Sequence, residues 1–312
     1  MHPALSIIVF TVSSGAGYGL MALTGLLAAA GLLPEGGWLG FAALSLSLAA
    51  IGTGLASSTG HLGHPERSWR ALSQWRSSWL SREGVAALAS LVPAGLLWLA
   101  FLLGRRASAV VAPLGFISAV LAAVTVWCTA MIYRSLTPIR QWNNRLVLPN
   151  YLALALMTGA LWLAALAALF GGGALPTVLA LVAIAGAAAV KQAYWSAIDR
   201  APPALTAADA TGLRGGTVRL FEAPHSQDNY LLKEMGFRIA RKHAAKLRRI
   251  ALALGFALPF LLAVAALLWS GIAVPALLLA ALSGTAGVLV ERWLFFAEAK
   301  HTVTLYYGAA AV

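Results

Sequence analysis

The chain is poor in charge. Only 10% of its 312 residues are Asp, Glu, Lys or Arg, against roughly 25% in an average soluble domain. Hydrophobic residues make up 60% and the mean hydropathy is +0.81, a balance that argues against a water-soluble fold of this size. Cysteine is almost absent: Cys128 stands alone inside an apolar run. The chain therefore cannot assemble an intramolecular disulfide, a zinc site or an iron–sulfur centre from its own residues. Histidine is missing from the middle of every apolar run, since His2, His61, His64, His225, His243 and His301 all fall at termini, in loops or at run ends. No haem is expected, because its axial ligands would have to sit within the spans. No metal is expected either; His61 and His64 are three apart, but Pro65 interrupts the helix that would align them.

What the chain does have is long apolar runs. A helix of about 20 residues crosses a hydrocarbon core roughly 30 Å thick, and lipid offers the backbone no hydrogen-bond partners, so each run must be helical. Breaks at Gly, Pro and charge clusters place spans near 4–30, 37–58, 84–104, 108–132, 150–170, 174–198, 249–269 and 272–297. The expected fold is all-α, a polytopic bundle of eight transmembrane helices forming a single integral membrane domain over 1–312. Within it lie an interfacial loop at 59–83 and a long loop at 199–248. The first run is preceded by no Lys or Arg and exceeds the roughly 7–15 apolar residues of a signal peptide, so it reads as a retained span. Gly15, Gly17, Gly19 and Gly25 within it suit close helix contact, because small residues let backbones approach in a bilayer.

The net charge is +12, which in a soluble protein would suggest nucleic acid. Here the basic residues lie between apolar runs, where topology and anionic lipid account for them and no nucleic-acid partner is implied. Eight spans put both termini on one side with the three longer loops. That side holds Arg67, Arg70, Arg76 and Arg82 in the first loop, Arg134, Arg140 and Arg145 in the second, and ten Lys or Arg between Asp199 and Arg249; the opposite connections hold only Arg105 and Arg106. Cytoplasmic loops carry the Lys/Arg excess, so the termini and longer loops are expected in the cytoplasm of a bacterial inner membrane.

The first loop runs His61-Leu-Gly-His-Pro-Glu-Arg-Ser-Trp-Arg and continues to Ser81-Arg82-Glu83. Pro65 suits the first position of a helix, and Trp69, Leu72, Trp75 or Arg76, and Trp79 recur at helical spacing. This describes a short helix in the interface with tryptophans at headgroup depth. Two readings stand for its polar residues. In one, Ser81 caps the third span, Glu83 is a first-turn acid worth about 0.3–1 kcal/mol against the helix dipole, and His61 satisfies a backbone carbonyl. In the other, His61 and Glu83 hydrogen-bond a substrate oxygen and exchange protons with it.

His61-Leu62-Gly63 followed by Pro65, Arg67 and Ser77-Ser78-Trp79-Leu80-Ser81-Arg82-Glu83, together with the eight-span plan, resembles the DMSO reductase anchor (DmsC-like) family. The resemblance implies the quinone-reactive membrane anchor of a molybdopterin oxidoreductase complex. Ubiquinone or menaquinone would meet the histidine-to-glutamate loop, with His61 and Glu83 at the matching positions and His64, Arg67 and Arg82 as neighbours. Electrons would pass to or from a four-cluster, ferredoxin-like iron–sulfur subunit and a molybdopterin catalytic subunit, which performs the substrate chemistry. Family members acting on DMSO turn their docking face out of the cytoplasm, whereas the charge distribution here turns it inward, as in the sulfite dehydrogenase (SoeC-like) branch. Sulfite oxidation feeding the quinone pool is therefore the expected role. A DMSO or polysulfide-type reductase anchor that oxidises quinol is the alternative within the family. A membrane transporter is the alternative of another class, and it fits less well because the charged residues gather at one face instead of lining a path at mid-membrane.

The long loop carries Ala201-Pro202-Pro203 and the run from Phe221 to Tyr230. Its length and mixed polarity mark it for partner docking, with Phe221, His225 and Tyr230 as candidates. Lys246, Arg248 and Arg249 beyond it are expected to snorkel to lipid phosphate. Arg134, Lys191, Glu291 and Arg292 lie near span ends, and Glu291 and Arg292 are expected to pair within the bundle, as a structural ion pair or a proton route. Tyr133, Tyr194 and Trp195 read as interfacial aromatics.

Overall fold

The computed structural model describes residues 5–34, 38–60, 62–104, 109–203, 205–213, 218–219, 221–222 and 241–312. His61, His225 and Tyr230 lie outside the described residues. Among the described residues, eight helices are long and apolar enough to cross a membrane: α1 (Leu5–Ala29), α2 (Trp38–Thr59), α3 (Trp79–Leu102), α4 (Val111–Arg134), α5 (Val147–Phe170), α6 (Leu175–Arg200), α8 (Ala244–Leu268) and α9 (Ala273–Ala297). The short α7 (Ala207–Thr211) is capped by a reciprocal pair in which Thr206 accepts from the Asp209 amide and Asp209 accepts from the Thr206 amide.

Two helix starts differ from expectation. α3 begins at Trp79 and α8 at Ala244, each about five residues before the hydropathy break. Hydropathy stops at the first charge, but a helix continues wherever that charge finds a protein partner. In the first turns of α3, Ser81 donates to the Ala71 carbonyl and Arg82 donates to the carbonyls of Trp75 and Arg76. In α8, Arg248 bridges Asp199 and Glu298, so it is an ion-pair residue and not the lipid-phosphate contact expected of it.

α1 is the axis of the bundle, packed against α2, α4 and α5. With no hydrophobic driving force between helices in lipid, close van der Waals contact must hold them. The glycines supply it: a Cβ at Gly19 would stand 1.8 Å from the Ala155 carbonyl oxygen of α5, and one at Gly25 would stand 2.4 Å from the Gly115 carbonyl oxygen of α4. Gly15 is different, because a Cβ there would meet only ordinary contact with Ala155. α9 packs on α8 and α5. Pro259 has no amide proton for the helical ladder, and α8 accommodates it with a π-helical turn at Ala253–Ala257. Ser283 of α9 donates to the Leu254 carbonyl in that turn, at 2.7 Å.

The second loop, the described start of the third and the C-terminal segment meet at one end of the bundle. Thr302 donates to the Pro138 carbonyl in the second loop, and the amides of Ala207 and Val312 donate to Ala310 and Leu205 respectively. Beneath them the rings of Tyr133, Trp142, Tyr151, Phe295 and Phe296 contact one another at centroid distances of 5.4–5.9 Å. Tyr194 and Trp195 are buried, and Tyr133 is partly buried within this cluster. These aromatics are core residues that seat the loops, a correction to the interfacial role read from sequence: each polar tip that would face water in an interfacial belt is here turned inward, and the Tyr194 hydroxyl donates to the Gln141 carbonyl.

Candidate functional site

The first loop is not an α-helix but a 3₁₀ helix, Pro65–Gln74, with Pro65 at its start. Its tryptophans face outward, Trp69 at 65% and Trp75 at 52% exposure, as interfacial anchors do. Leu72 instead turns onto α3, where its Cδ2 occupies the space a side chain at Gly84 would need. The loop is thus pinned to α3 at three places: Leu72 on Gly84, Ser81 on the Ala71 carbonyl, and the Arg82 guanidinium on two loop carbonyls while it lies 4.3 Å from the centroid of the Trp79 ring. Ser78, not Ser81, occupies the N-cap position of α3, and its side chain makes no capping bond.

Glu83 faces the opposite way, into the bundle, and is 5% exposed. Thr129 of α4 donates its hydroxyl proton to Glu83 Oε1 and shares it with the Thr125 carbonyl. Cys128 and Tyr133 of α4 and Tyr18 of α1 lie within electrostatic reach of the carboxyl group. A first-turn acid serving only the helix dipole gains from solvent exposure; a carboxyl group enclosed by three helices does not. The other loop candidates sit in water. His64 Nδ1 is 3.0 Å from Glu66 Oε1 and Arg67 Nε is 3.7 Å from the same atom, with all three side chains more than half exposed. The structure therefore joins Arg82 to the loop backbone, pairs His64 and Arg67 through Glu66, and sets Glu83 apart from them below the surface.

A second buried group of charges lies at the same end of the bundle. Lys191 of α6 pairs with Glu291 Oε1 of α9, and Arg292 Nε is 2.7 Å from Glu291 Oε2, all three side chains being essentially sealed from solvent. The Lys191 ammonium also lies 4.3 Å and 4.7 Å from the ring centroids of Tyr194 and Trp195. The Arg292 guanidinium covers the Tyr151 ring at 3.9 Å. Sequence reading expected Glu291 and Arg292 to pair with groups in the bundle but named neither Lys191 nor each other as the partner, and it did not join Thr129 to Glu83. The signal for Thr129 was available: Ser118, Thr125 and Thr129 recur on one side of α4, and all three are buried.

On the loop face a cleft of about 600 Å³ is lined by Arg140, Asn143, Asp199, Arg248, Glu298 and Lys300, among others. Burial raises the proton affinity of Glu298, against the opposing pull of the Arg248 guanidinium. Burial, with Arg241 nearby, lowers that of His301 beside it. Phe221, the one described residue of the expected docking run's three candidates, is fully exposed. No group of three or more metal-type ligands occurs among the described residues.

The family model of the DMSO reductase anchor subunit (DmsC) matches residues 1–308. The chain is also 32% identical over 339 aligned positions, covering all of both chains, to a subunit of the sulfite dehydrogenase of Allochromatium vinosum. With eight helices able to span a membrane and a match running through nearly every residue, this multi-pass membrane protein belongs to the DMSO reductase anchor subunit family.

Proposed function

We propose that the chain is the quinone-reactive anchor of a molybdopterin oxidoreductase complex, passing electrons between an iron–sulfur subunit and the quinone pool, and that the substrate oxidised by its partner is sulfite. The observation that carries this reading is Glu83, a carboxyl group buried at the loop end of α3 beneath an interfacial segment and held by one hydroxyl donor. Quinone and quinol interconvert by moving two electrons and two protons, and the ring oxygens they present accept hydrogen bonds. A buried carboxyl group next to the membrane surface suits the proton half of that exchange, since it is screened from bulk water yet close to it. Leu80, Leu88 and Val92 are exposed on the same helix, an apolar track for an isoprenoid tail.

The residues fit a quinone better than a metal or haem group. Glu83 would exchange a proton with a ring oxygen, and His61, at the start of the same loop, would donate a hydrogen bond. Arg82 would hold the loop in place over the site through the Trp75 and Arg76 carbonyls. The sulfite assignment rests on the relative's name and on the Lys/Arg excess of the loops, which favours a cytoplasmic docking face in a bacterial inner membrane. The iron–sulfur and molybdopterin subunits would dock there, against the loop-face cleft and the run from Phe221 to Tyr230.

The test is Glu83→Gln in the assembled complex. The variant keeps shape and removes proton exchange, so quinone-coupled turnover is expected to fall roughly ten- to a hundredfold, the equivalent of about 1.5–3 kcal/mol. Substrate oxidation coupled to an artificial dye is expected to persist. Normal quinone-coupled rates in an intact Glu83→Gln complex would overturn the assignment.

A further inference from the structure

Between Glu83 and the Lys191–Glu291–Arg292 group lies a cavity of about 20 Å³, enclosed by α1, α4, α5 and α9 and lined by Thr129, Tyr18, Tyr151 and Arg292 among others. The volume matters because one water molecule requires only about 10–15 Å³ by this kind of measure, together with at least two polar partners. The partners are present. Both terminal nitrogens of the buried Arg292 guanidinium, and the hydroxyls of Tyr18 and Tyr151, meet no partner at full hydrogen-bond geometry among the described residues, although the Tyr151 hydroxyl lies close to the guanidinium and the Tyr18 hydroxyl close to Ser90 and Thr125. Leaving such groups dry is costly, most of all for a charged group, and native interiors do so rarely.

We propose that this cavity holds an ordered water that accepts from Arg292 and donates to the Thr129 hydroxyl, making Arg292 a positioning residue that acts on Glu83 across the bundle. Thr129 has the capacity for it. Its one proton goes to Glu83 and the Thr125 carbonyl, which leaves its oxygen free to accept. The chain then runs Arg292 N–H to water, water O–H to Thr129, Thr129 O–H to Glu83. Every proton points towards the carboxylate, so each bond polarises the next in the sense that favours the ionised acid.

Charge balance gives the same direction independently. Among the described residues the buried charged side chains are Glu83, Lys191, Glu291 and Arg292. Lys191, Glu291 and Arg292 together carry a net +1, and the set is neutral only when Glu83 is ionised. The groups facing Glu83 from the neighbouring elements are Tyr18 on α1, Cys128, Thr129 and Tyr133 on α4, and Tyr151 on α5. Tyr151 lies within reach of Glu83, Glu291 and Arg292 alike, and Thr129, the donor to Glu83, lines the same cavity as Arg292. Arg82 is committed to the loop carbonyls. The buried cation that shares a cavity with the Glu83 donor is Arg292, and the proposed water is the link between them.

This deepens the proposed proton exchange at Glu83 and rests on it for its role in turnover, but its test does not. The full chain in lipid nanodiscs is examined by infrared difference spectroscopy, with the acid C=O stretch assigned to Glu83 by its loss in Glu83→Gln. In Arg292→Gln the remaining Lys191–Glu291 pair is neutral, and the Glu83 acid band at neutral pH is expected to grow at least twofold, with loss of a buried-water O–H stretch. Arg292→Lys should restore part of the balance and reduce the band. In a Thr129→Val background, where the link is cut, adding Arg292→Gln should change the band little. An acid band of equal size in wild type and Arg292→Gln would overturn the inference, as would an undiminished effect of Arg292→Gln in the Thr129→Val background. If the band responds as expected while Glu83→Gln leaves quinone-coupled turnover intact, the coupling stands and the quinone assignment falls.

Discussion

Thr129, on α4, donates its hydroxyl proton to the Glu83 carboxyl group on α3. Both residues lie in the turns nearest the loop end of their helices, and the bond joins the two stretches of chain that flank the candidate site. Thr129→Val keeps the volume and removes the donor, which should cost about 1–3 kcal/mol. The expected result is a lower thermal midpoint and a Glu83→Gln-like loss of quinone-coupled turnover. Thr129→Ser, which keeps the hydroxyl, should retain most of both. Equal behaviour of the Val and Ser variants would show that the bond carries neither stability nor turnover.

The Lys191–Glu291–Arg292 group makes a prediction from charge alone. Glu291→Gln removes the one carboxylate that Lys191 and Arg292 both contact directly, and breaking a buried pair in this way costs about 3–5 kcal/mol. Lys191→Met leaves Glu291 paired with Arg292 and puts an apolar side chain of similar length between Tyr194 and Trp195, a change often close to neutral. Heating detergent-solubilised protein and following loss of the monodisperse peak should show a far larger drop for Glu291→Gln. Comparable drops would mean that the Lys191 charge is itself needed beside Glu291 and the two rings.

The helix contacts at Gly19 and Gly52 separate close approach from composition. A side chain at Gly19 would run into the Ala155 carbonyl, so Gly19→Val should push α1 off α5 and abolish a folded, monodisperse product. At Gly52, where nothing lies within 4 Å, Gly52→Val is expected to leave yield and melting unchanged. Tolerance of Gly19→Val would remove the axis role assigned to α1.

The spans themselves were legible because each is a single apolar run whose length is fixed by the bilayer. Their ends were not, since Ser81, Arg82 and Arg248 are helical through partners that only the tertiary structure supplies. The same limit applies to the site. Glu83 could be singled out in its motif, but its donor is 46 residues away on another helix, and no local pattern links the two. Tyr194 and Trp195 were misread for a related reason: an aromatic at a span end looks the same in sequence whether it faces headgroups or, as here, covers a buried lysine.

His301 gives a pH dependence outside the membrane. Burial, with Arg241 close by, lowers its proton affinity in the fold, while its ring packs edge-on to Trp142 at 5.6 Å. A group with a depressed value contributes stability that is present above its unfolded value of about 6.5 and is lost as pH falls through the folded one. The C-terminal segment should therefore loosen from the second loop on acidification. Limited proteolysis at a series of pH values should show earlier cleavage beyond Glu298 below about pH 6, and His301→Phe should flatten that trend. An identical pH profile in the variant would assign the loosening to a group other than His301.

Sidedness decides between the readings of the substrate. The loops after α2, α4 and α6 carry all but a few of the Lys and Arg residues, and the connections at the other end hold only Arg105 and Arg106. Such a bias is what orients a chain with its basic loops in the cytoplasm, the orientation proposed for this one. Reporter fusions after Arg145 and after Arg219 should therefore behave as cytoplasmic, and a fusion at Gly172, in the connection between α5 and α6, as exported. In that orientation the loop-face cleft between Arg140, Arg248 and Lys300 would open to the cytoplasm, where soluble partners without an export signal would reach it. Replacing Phe221 to Tyr230 with a Gly/Ser linker should weaken co-purification of those partners while the bundle still inserts. The reversed fusion pattern would turn the cleft and Glu83 to the other side of the membrane. A cytoplasmic sulfite-oxidising partner would then be ruled out, whereas the reductase alternative, with its partner outside the cytoplasm, would gain the support that sulfite oxidation lost.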